Sequence, residues 1–230
     1  MLYLVATPIG NLGDITLRAL EVLKSADIIA AEDTRHSGNL LRHCEIHKPM
    51  VSYHEHNEAQ RTAELLEVLR EGKNVAIITD AGMPGISDPG HRLLRACIEH
   101  AIPYTIIPGA SAVLTALIGS GFDAEQFFYG GFLPPKSGGR EREILAAGKR
   151  EVTSIFFESP HRLLRSLEVF QQHFPTRTLC VARELTKQFE EFRIGTPPEL
   201  VAHYTAHPPR GEIVLLLRAL TKQERREAGD

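Results

Sequence analysis

The run Thr79-Asp80-Ala81-Gly82-Met83-Pro84-Gly85-Ile86-Ser87-Asp88-Pro89-Gly90 sets three glycines, two prolines and two aspartates in one short stretch. Glycine lets a backbone approach a ligand closely and take up positive φ, and proline fixes the path between such points. Asp80 and Asp88 put two carboxylates inside that stiff loop. A plain connection needs only about two to six residues, so this run reads as a ligand-binding loop. Pro108-Gly109-Ala110-Ser111-Ala112 is a second Gly/Pro turn, opening a helix whose free N–H groups suit a carboxylate or phosphate. Thr7-Pro8-Ile9-Gly10-Asn11-Leu12-Gly13-Asp14 is a third, which by itself reads as a β-to-α turn with Asp14 as N-cap. Three such loops in one half of the chain point to a shared small-molecule site.

Acid–base chemistry has several further candidates. Ala31-Glu32-Asp33-Thr34-Arg35-His36 places two acids and a base together, for substrate binding or general-base work, or else as an N-capping acid with a surface ion pair. His54-Glu55-His56 has alternating histidines but no obvious third ligand, so a hydrogen-bonded or exposed pair is the plainer reading and no metal is expected. Phe157-Glu158-Ser159-Pro160-His161-Arg162, with Arg165 one turn on, and Arg183-Glu184-Leu185-Thr186-Lys187 are charged clusters at the ends of apolar runs, facing a ligand or water. Lys136, Arg140, Arg142, Lys149 and Arg150 form the densest basic run, either a mobile solvated loop or an arm that contacts phosphates. Neither a G-x-G-x-x-G after the first strand nor a P-loop is present, which argues against NAD enzymes, nucleotide-driven motors and common Rossmann-type methyltransferases.

The elements that must position these residues alternate. Strands are expected at 2–7, 28–31, 51–53, 75–79 and 104–107, and helices at 16–25, 37–43, from Asn57 as N-cap to about Glu71, and 92–100. This is βαβ rhythm and predicts an α/β fold with a mostly parallel sheet covered on both faces. A second block starts near Phe122, with strands at 127–131, 153–157, 178–182, 189–194 and 212–217, helices at 163–173 and 198–207, and a polar tail over 221–230. Each catalytic or binding cluster named above falls where one of these strands ends.

Composition sets the class. The 230 residues are 43% hydrophobic and 24% charged, as in a soluble globular protein of one large or two small domains. No apolar run approaches the roughly 20 residues of a membrane span, and the start has no basic leader, so a cytoplasmic protein without membrane attachment is expected. Cys44, Cys97 and Cys180 are scattered, as in a reducing compartment, and read as small buried hydrophobes. The formal net charge of −3 excludes a protein that coats nucleic acid through bulk charge, while leaving room for a local basic patch.

The strings Val5-Ala6-Thr7-Pro8-Ile9-Gly10-Asn11-Leu12-Gly13-Asp14, Ala30-Ala31-Glu32-Asp33-Thr34-Arg35 and Ser52-Tyr53-His54-Glu55-His56-Asn57 resemble the ribosomal RNA small subunit methyltransferase I branch of the tetrapyrrole methylases, the class III S-adenosylmethionine methyltransferases. The Asp80–Gly90 loop, Glu158-Ser159-Pro160-His161-Arg162 and Ala182-Arg183-Glu184-Leu185-Thr186-Lys187 share in the likeness, which runs from residue 5 to about residue 217. The chain departs from the pattern at Met83, where Thr is usual, at Ala110, where Pro is common, and at Arg210-Gly211-Glu212, where Lys-Gly-Glu is usual. The resemblance implies two α/β domains, taken as residues 1–115 and 116–220, with S-adenosylmethionine in the cleft between them, and a homodimer. It implies 2′-O-methylation of a decoding-centre cytidine in 16S rRNA, on the assembled small ribosomal subunit. Cofactor contacts carried over from it are Ile9, Gly10, Asp80, Gly82, Met83, Ser111 and Ala112, with Phe157 and Glu212 from the second domain. Glu32, Asp33, Glu158 and Glu184 are the candidate bases, unranked, and Arg35, Arg162 and Lys187 the candidate phosphate holders. The competing reading is a tetrapyrrole C-methyltransferase of the same fold, and a third is a cofactor-binding protein without catalysis.

Overall fold

Short branched apolar runs become strands. β1 (Leu2–Val5), β2 (Ile28–Ala31), β3 (Met50–Ser52), β4 (Val75–Ile78) and β5 (Tyr104–Ile107) form one sheet of order β3-β2-β4-β1-β5, and every pairing in it is parallel. The three central strands, β2, β4 and β1, are largely buried. Side chains alternate across a strand, and the core follows that rule. Leu2, Leu4, Ala30, Val75 and Ile77 join Leu65, Leu69, Leu93 and Cys97 of α3 (Glu58–Arg70) and α4 (His91–Glu99). Val5, Ile29, Ala31, Ala76 and Ile78 join Ala19, Leu23 and Leu41 of α1 (Leu17–Ser25) and α2 (Thr34–His43) on the other face. The expected parallel sheet with helices on both faces is thus what forms here.

This computed structural model describes residues 1–221 and 224. The chain divides into two compact units, Met1–Ser111 and Ala112–Asp230. α5 (Ala112–Ser120) goes whole with the second unit, where it packs on three strands of the sheet, whereas a boundary at 115 would cut it.

The second sheet has the order β6-β7-β10-β8-β9, from β6 (Phe127–Phe132), β7 (Thr153–Glu158), β8 (Leu179–Arg183), β9 (Glu191–Gly195) and β10 (Ile213–Leu217). Only β6–β7 is parallel; β10 runs antiparallel to both of its neighbours, and β8–β9 is a hairpin-like antiparallel pair. Strand and helix therefore still mostly alternate in this half, but with antiparallel pairing everywhere except β6–β7. α6 (Ser137–Gly148), α7 (Leu163–His173) and α8 (Pro197–Ala206) complete the unit, and α8 opens on a capping box between Thr196 and Glu199.

Three local expectations change. Most of the basic stretch 136–150 is helix α6 (Ser137–Gly148), with Arg140, Ile144 and Ala147 burying one side of it. Asp14 caps nothing: Asn11 caps a 3-10 turn at Leu12–Asp14, and the Thr16 hydroxyl caps α1 by accepting from Ala19 N at 3.1 Å. Asn57 stands at the N-cap of α3, but its side chain turns back, accepting from His54 N at 2.9 Å and donating to Ser52 O at 3.2 Å. Cys97 and Cys180 are buried and Cys44 half-buried, all as free thiols. The tail expected over 221–230 lies outside the described residues, apart from Thr221 and Glu224. No described helix is long and apolar enough to cross a membrane.

Candidate active site

Sheet order decides which strand-end loops meet. β1 lies between β4 and β5, so the three Gly/Pro loops leave adjacent strands at their carboxyl ends, where parallel α/β sheets bind ligands. The loops are stitched together. Thr7 N donates to Gly82 O at 2.9 Å, Gly82 N to Thr7 O at 3.2 Å, and the buried Thr7 hydroxyl to Thr79 O at 3.0 Å. Gly82 holds φ +86, and a Cβ there would stand 3.4 Å from Ile9 Cγ2 and 3.8 Å from the Ala110 carbonyl. A Cβ on Gly109 would stand 2.9 Å from Ala6 Cβ. A side chain at Gly109 would therefore collide with Ala6, Gly82 needs glycine for its positive φ, and Ile9, Gly82 and Ala110 converge. Within the Asp80 loop, Gly85 N donates to Pro89 O and Ile86 N to Met83 O. Ser111 closes the first unit and Ala112 opens α5 in the second. Gly10 is exposed in the β1 loop. Thr7, not among the expected contacts, is the residue that joins two loops; its signal in the sequence is a hydroxyl at the end of an apolar strand.

β2 is the other neighbour of β4, and there the acids gather. Glu32 accepts from Asp80 N at 3.4 Å, while Asp33 N donates to Asp80 Oδ1 at 3.3 Å, so each loop uses a carboxylate on the other. Burial pushes the Glu32 carboxyl up, the charges of Asp80 and Asp33 add to this, and the Asp80 N–H and His54 oppose it. The second oxygen of Glu32 makes no hydrogen bond among the described residues. Asp33 is the N-cap of α2, accepting from Arg35 N at 2.8 Å and pairing with the guanidinium at 3.0 Å, and this holds its carboxyl at about 2. Arg35 is otherwise open, its side chain 91% exposed. His54 Nε2 lies 3.2 Å from Asn57 Nδ2, and its buried Nδ1 has no partner among the described residues. No cluster of three metal-ligating side chains exists among the described residues.

In the second unit, expected sites resolve differently. Glu158 is buried with both oxygens in use: Ser159 N donates to one at 2.7 Å, Arg162 pairs with it at 2.9 Å, and the Ser166 hydroxyl donates to the other. Arg162 also donates to Leu133 O at 3.4 Å, so both residues serve the β7–α7 junction. Phe157 is half-buried and packs edge-to-face with Tyr129 and Phe132. Glu184, Lys187 and Glu212, given three separate roles from sequence, form one network. Glu184 accepts from Lys187 Nζ at 2.9 Å and Glu212 N at 3.0 Å, and Lys187 reaches Glu212 at 2.7 Å. Burial raises the Glu184 carboxyl, but Lys187 and the Glu212 N–H outweigh it and the net shift is down; for Lys187 burial acts downward and the two glutamates carry the ammonium up. Glu184 and Thr186 both hold positive φ, at 52 and 63, a local cost that tends to gather at functional positions.

The family profile of Tetrapyrrole (Corrin/Porphyrin) Methylases matches residues 1–201. The chain is 49% identical to a ribosomal RNA small subunit methyltransferase I of Synechocystis sp., over 98% of this chain and 81% of that protein. It is 46% identical to the protein of that name from Escherichia coli O157:H7, over 97% and 79%, and 44% identical to that from Bacillus subtilis, over 97% and 77%. Among solved structures, the uroporphyrin-III-C-methyltransferase of Thermus thermophilus superposes with a TM-score of 0.67 at 24% identity, covering 94% of this chain and 93% of that one. The methyltransferase CobJ superposes with 0.70 at 18% identity, covering 95% and 93%. These two likenesses concern the fold.

Proposed function

The chain belongs to the tetrapyrrole methylase family and, within it, to the ribosomal RNA small subunit methyltransferases I, and from that premise we propose that it methylates the ribose 2′-oxygen of a decoding-centre cytidine in 16S rRNA, acting on the assembled small ribosomal subunit. Its cofactor is S-adenosylmethionine. The observation that carries the reading is the near full-length likeness to curated relatives of that name. The stitched strand-end loops support a cofactor site there: Gly82 holds positive φ beside Ile9 and the Ala110 carbonyl, so backbone of the three loops lies together at the carboxyl ends of adjacent strands.

Bound S-adenosylmethionine supplies an electrophilic methyl carbon, which leaves alignment and proton removal to the protein. We assign its grip in the first unit to Ile9, Gly10, Asp80, Gly82, Met83 and Ser111. A ribose hydroxyl is a poor nucleophile until its proton is accepted, and we assign that step to Glu32. Glu158 has no free oxygen, Glu184 is committed to Lys187 and Glu212, and Asp33 is held at about 2 by Arg35. Glu32 keeps one oxygen unbonded and a raised proton affinity, which brings it nearer the pH at which a base works. Arg35, exposed beside it, is assigned a flanking phosphate. The same reading makes the protein a cytoplasmic homodimer, which sedimentation of the full chain tests.

The deciding experiment incubates the protein and labelled S-adenosylmethionine with small subunits from cells lacking this gene, beside free 16S rRNA and a precorrin. Label on a single ribose of the subunit, mapped by resistance to alkaline cleavage, is the expected result. Label on the precorrin alone would move the function to tetrapyrrole methylation.

A further inference from the structure

The fold sorts the basic run at 136–150 into inward and outward cations. Arg140 is only 5% exposed and donates to Pro135 O at 3.3 Å. Arg150 lies 3.7 Å over the Phe128 ring and pairs with Glu143 at 2.9 Å. Lys149 is the C-cap of α6, at the far end of a helix about 18 Å long. Lys136 and Arg142 remain, both exposed, and neither makes an ion pair among the described residues. They meet at the head of α6. Lys136 is its N-cap residue without a side-chain cap, and a Cβ on Gly138 would stand 3.9 Å from Arg142 Nη1, so the guanidinium lies back over the first turn. Together with Pro134, Pro135, Gly138 and Gly139 they line an open depression.

The charge of this place is uncompensated. The first intrahelical donor is Arg140 N, to Lys136 O at 3.0 Å, which leaves the N–H groups of Ser137, Gly138 and Gly139 outside the helix's own bonding. No acid stands in the first turn. Two cations at the positive end of a helix dipole disfavour each other and the helix, and an anion resolves both. Glycine keeps the turn bare: a Cβ on Gly139 would stand 3.1 Å from Pro134 Cβ, so Pro134 can close on it as a wall. Two residues before Pro134 in the sequence, Phe132 ends edge strand β6 57% exposed, its ring propped edge-to-face on Phe157 at 5.3 Å.

We propose that the depression at the head of α6 is a phosphate site for single-stranded substrate RNA, in which Lys136, Arg142 and the N–H groups of Gly138 and Gly139 hold one backbone phosphate while Phe132 stacks a neighbouring base. The inference rests on the reading of this chain as an rRNA methyltransferase. Phosphate contacts fix the register of a strand, and base–aromatic stacking tolerates any sequence, so the site places the strand and leaves the choice of base to other contacts.

The test measures binding of the full chain to small subunits from cells lacking this gene, across a salt titration, with S-adenosylmethionine affinity followed by calorimetry on the same preparations. The variant K136A/R142A is expected to weaken subunit binding about tenfold or more and to flatten the slope of log affinity on log salt by about 0.7, one phosphate on a single strand. Phe132→Ala is expected to weaken it about tenfold with the slope kept. S-adenosylmethionine affinity stays at the wild-type value in both. Should the double variant lose it through misfolding, Lys136→Ala alone, exposed and making no side-chain hydrogen bond or ion pair among the described residues, flattens the slope in the same direction. Unchanged binding and slope beside a wild type that binds subunits overturns the phosphate site alone. A wild type that binds no subunit and labels only a precorrin overturns the function and the site together.

Discussion

Asp80 and Glu32 each lend a carboxylate to the backbone of the other's loop, so substitutions there separate holding the cofactor from using it. Asp80→Ala is expected to weaken S-adenosylmethionine binding on the order of tenfold to a hundredfold, the scale of a hydrogen bond to a charged group; unchanged affinity by calorimetry would remove Asp80 from the site. Glu32→Gln should keep that affinity and lower kcat by about 10²–10⁴, as for a lost general base. Because burial raises Glu32, its carboxylate forms at a higher pH than an ordinary glutamate's. Wild-type turnover should therefore fall as pH drops through that raised value, and the limb should vanish in Glu32→Gln; a limb that persists in the variant belongs to another group. Asp33 behaves oppositely. Its folded value of about 2 lies below the reference 3.8, so its contribution is complete above 3.8 and is lost as pH falls through about 2. Asn caps a helix as well as Asp, so Asp33→Asn should leave turnover and thermal midpoint essentially unchanged, and a large loss of kcat would make Asp33 the base instead.

At the scale of elements, Gly211 has φ +81, and a Cβ on it would stand 2.1 Å from Glu184 Oε1. Gly211→Ala must move the Glu184 carboxylate and strain the turn before β10, a loss of about 1–2 kcal/mol in urea unfolding; a neutral result would show that the turn relaxes freely. The strands themselves were legible: apolar runs bounded by Gly, Pro and Asp gave β2 and β5 to the residue and α7 likewise. Helix α6 was not, because Gly138-Gly139 and its many charges mask a buried side of only Arg140, Ile144 and Ala147. Sheet order was not legible either, since it depends on non-local pairing. That order is what brings the Asp80 loop between the turns of Glu32 and Thr7, and what gathers Glu184, Lys187 and Glu212 across β8 and β10. Glu158 and Arg162 show the converse: a sequence cluster of functional appearance whose charges satisfy each other inside the fold.

For the whole molecule, a formal charge of −3 means that any grip on RNA is local. Subunit binding should weaken steeply and linearly in log–log form as salt rises, and a flat titration would contradict RNA recognition through phosphates. The second unit is completed by β10, whose five residues are all buried and which pairs with β7 on one side and β8 on the other. A chain ending at Arg210 should lose protease protection throughout 112–210, and protection retained there would show that β7 and β8 can pair without it. The same central position sets a schedule for biosynthesis. The first sheet is complete once Ile107 has emerged, but the second stays split until Leu217 is made. Both halves are present only from Gly195 on, so at 5–20 residues per second there are roughly 1–4 s in which the nascent chain shows chaperones and proteases two apolar half-sheets that β10 has yet to join.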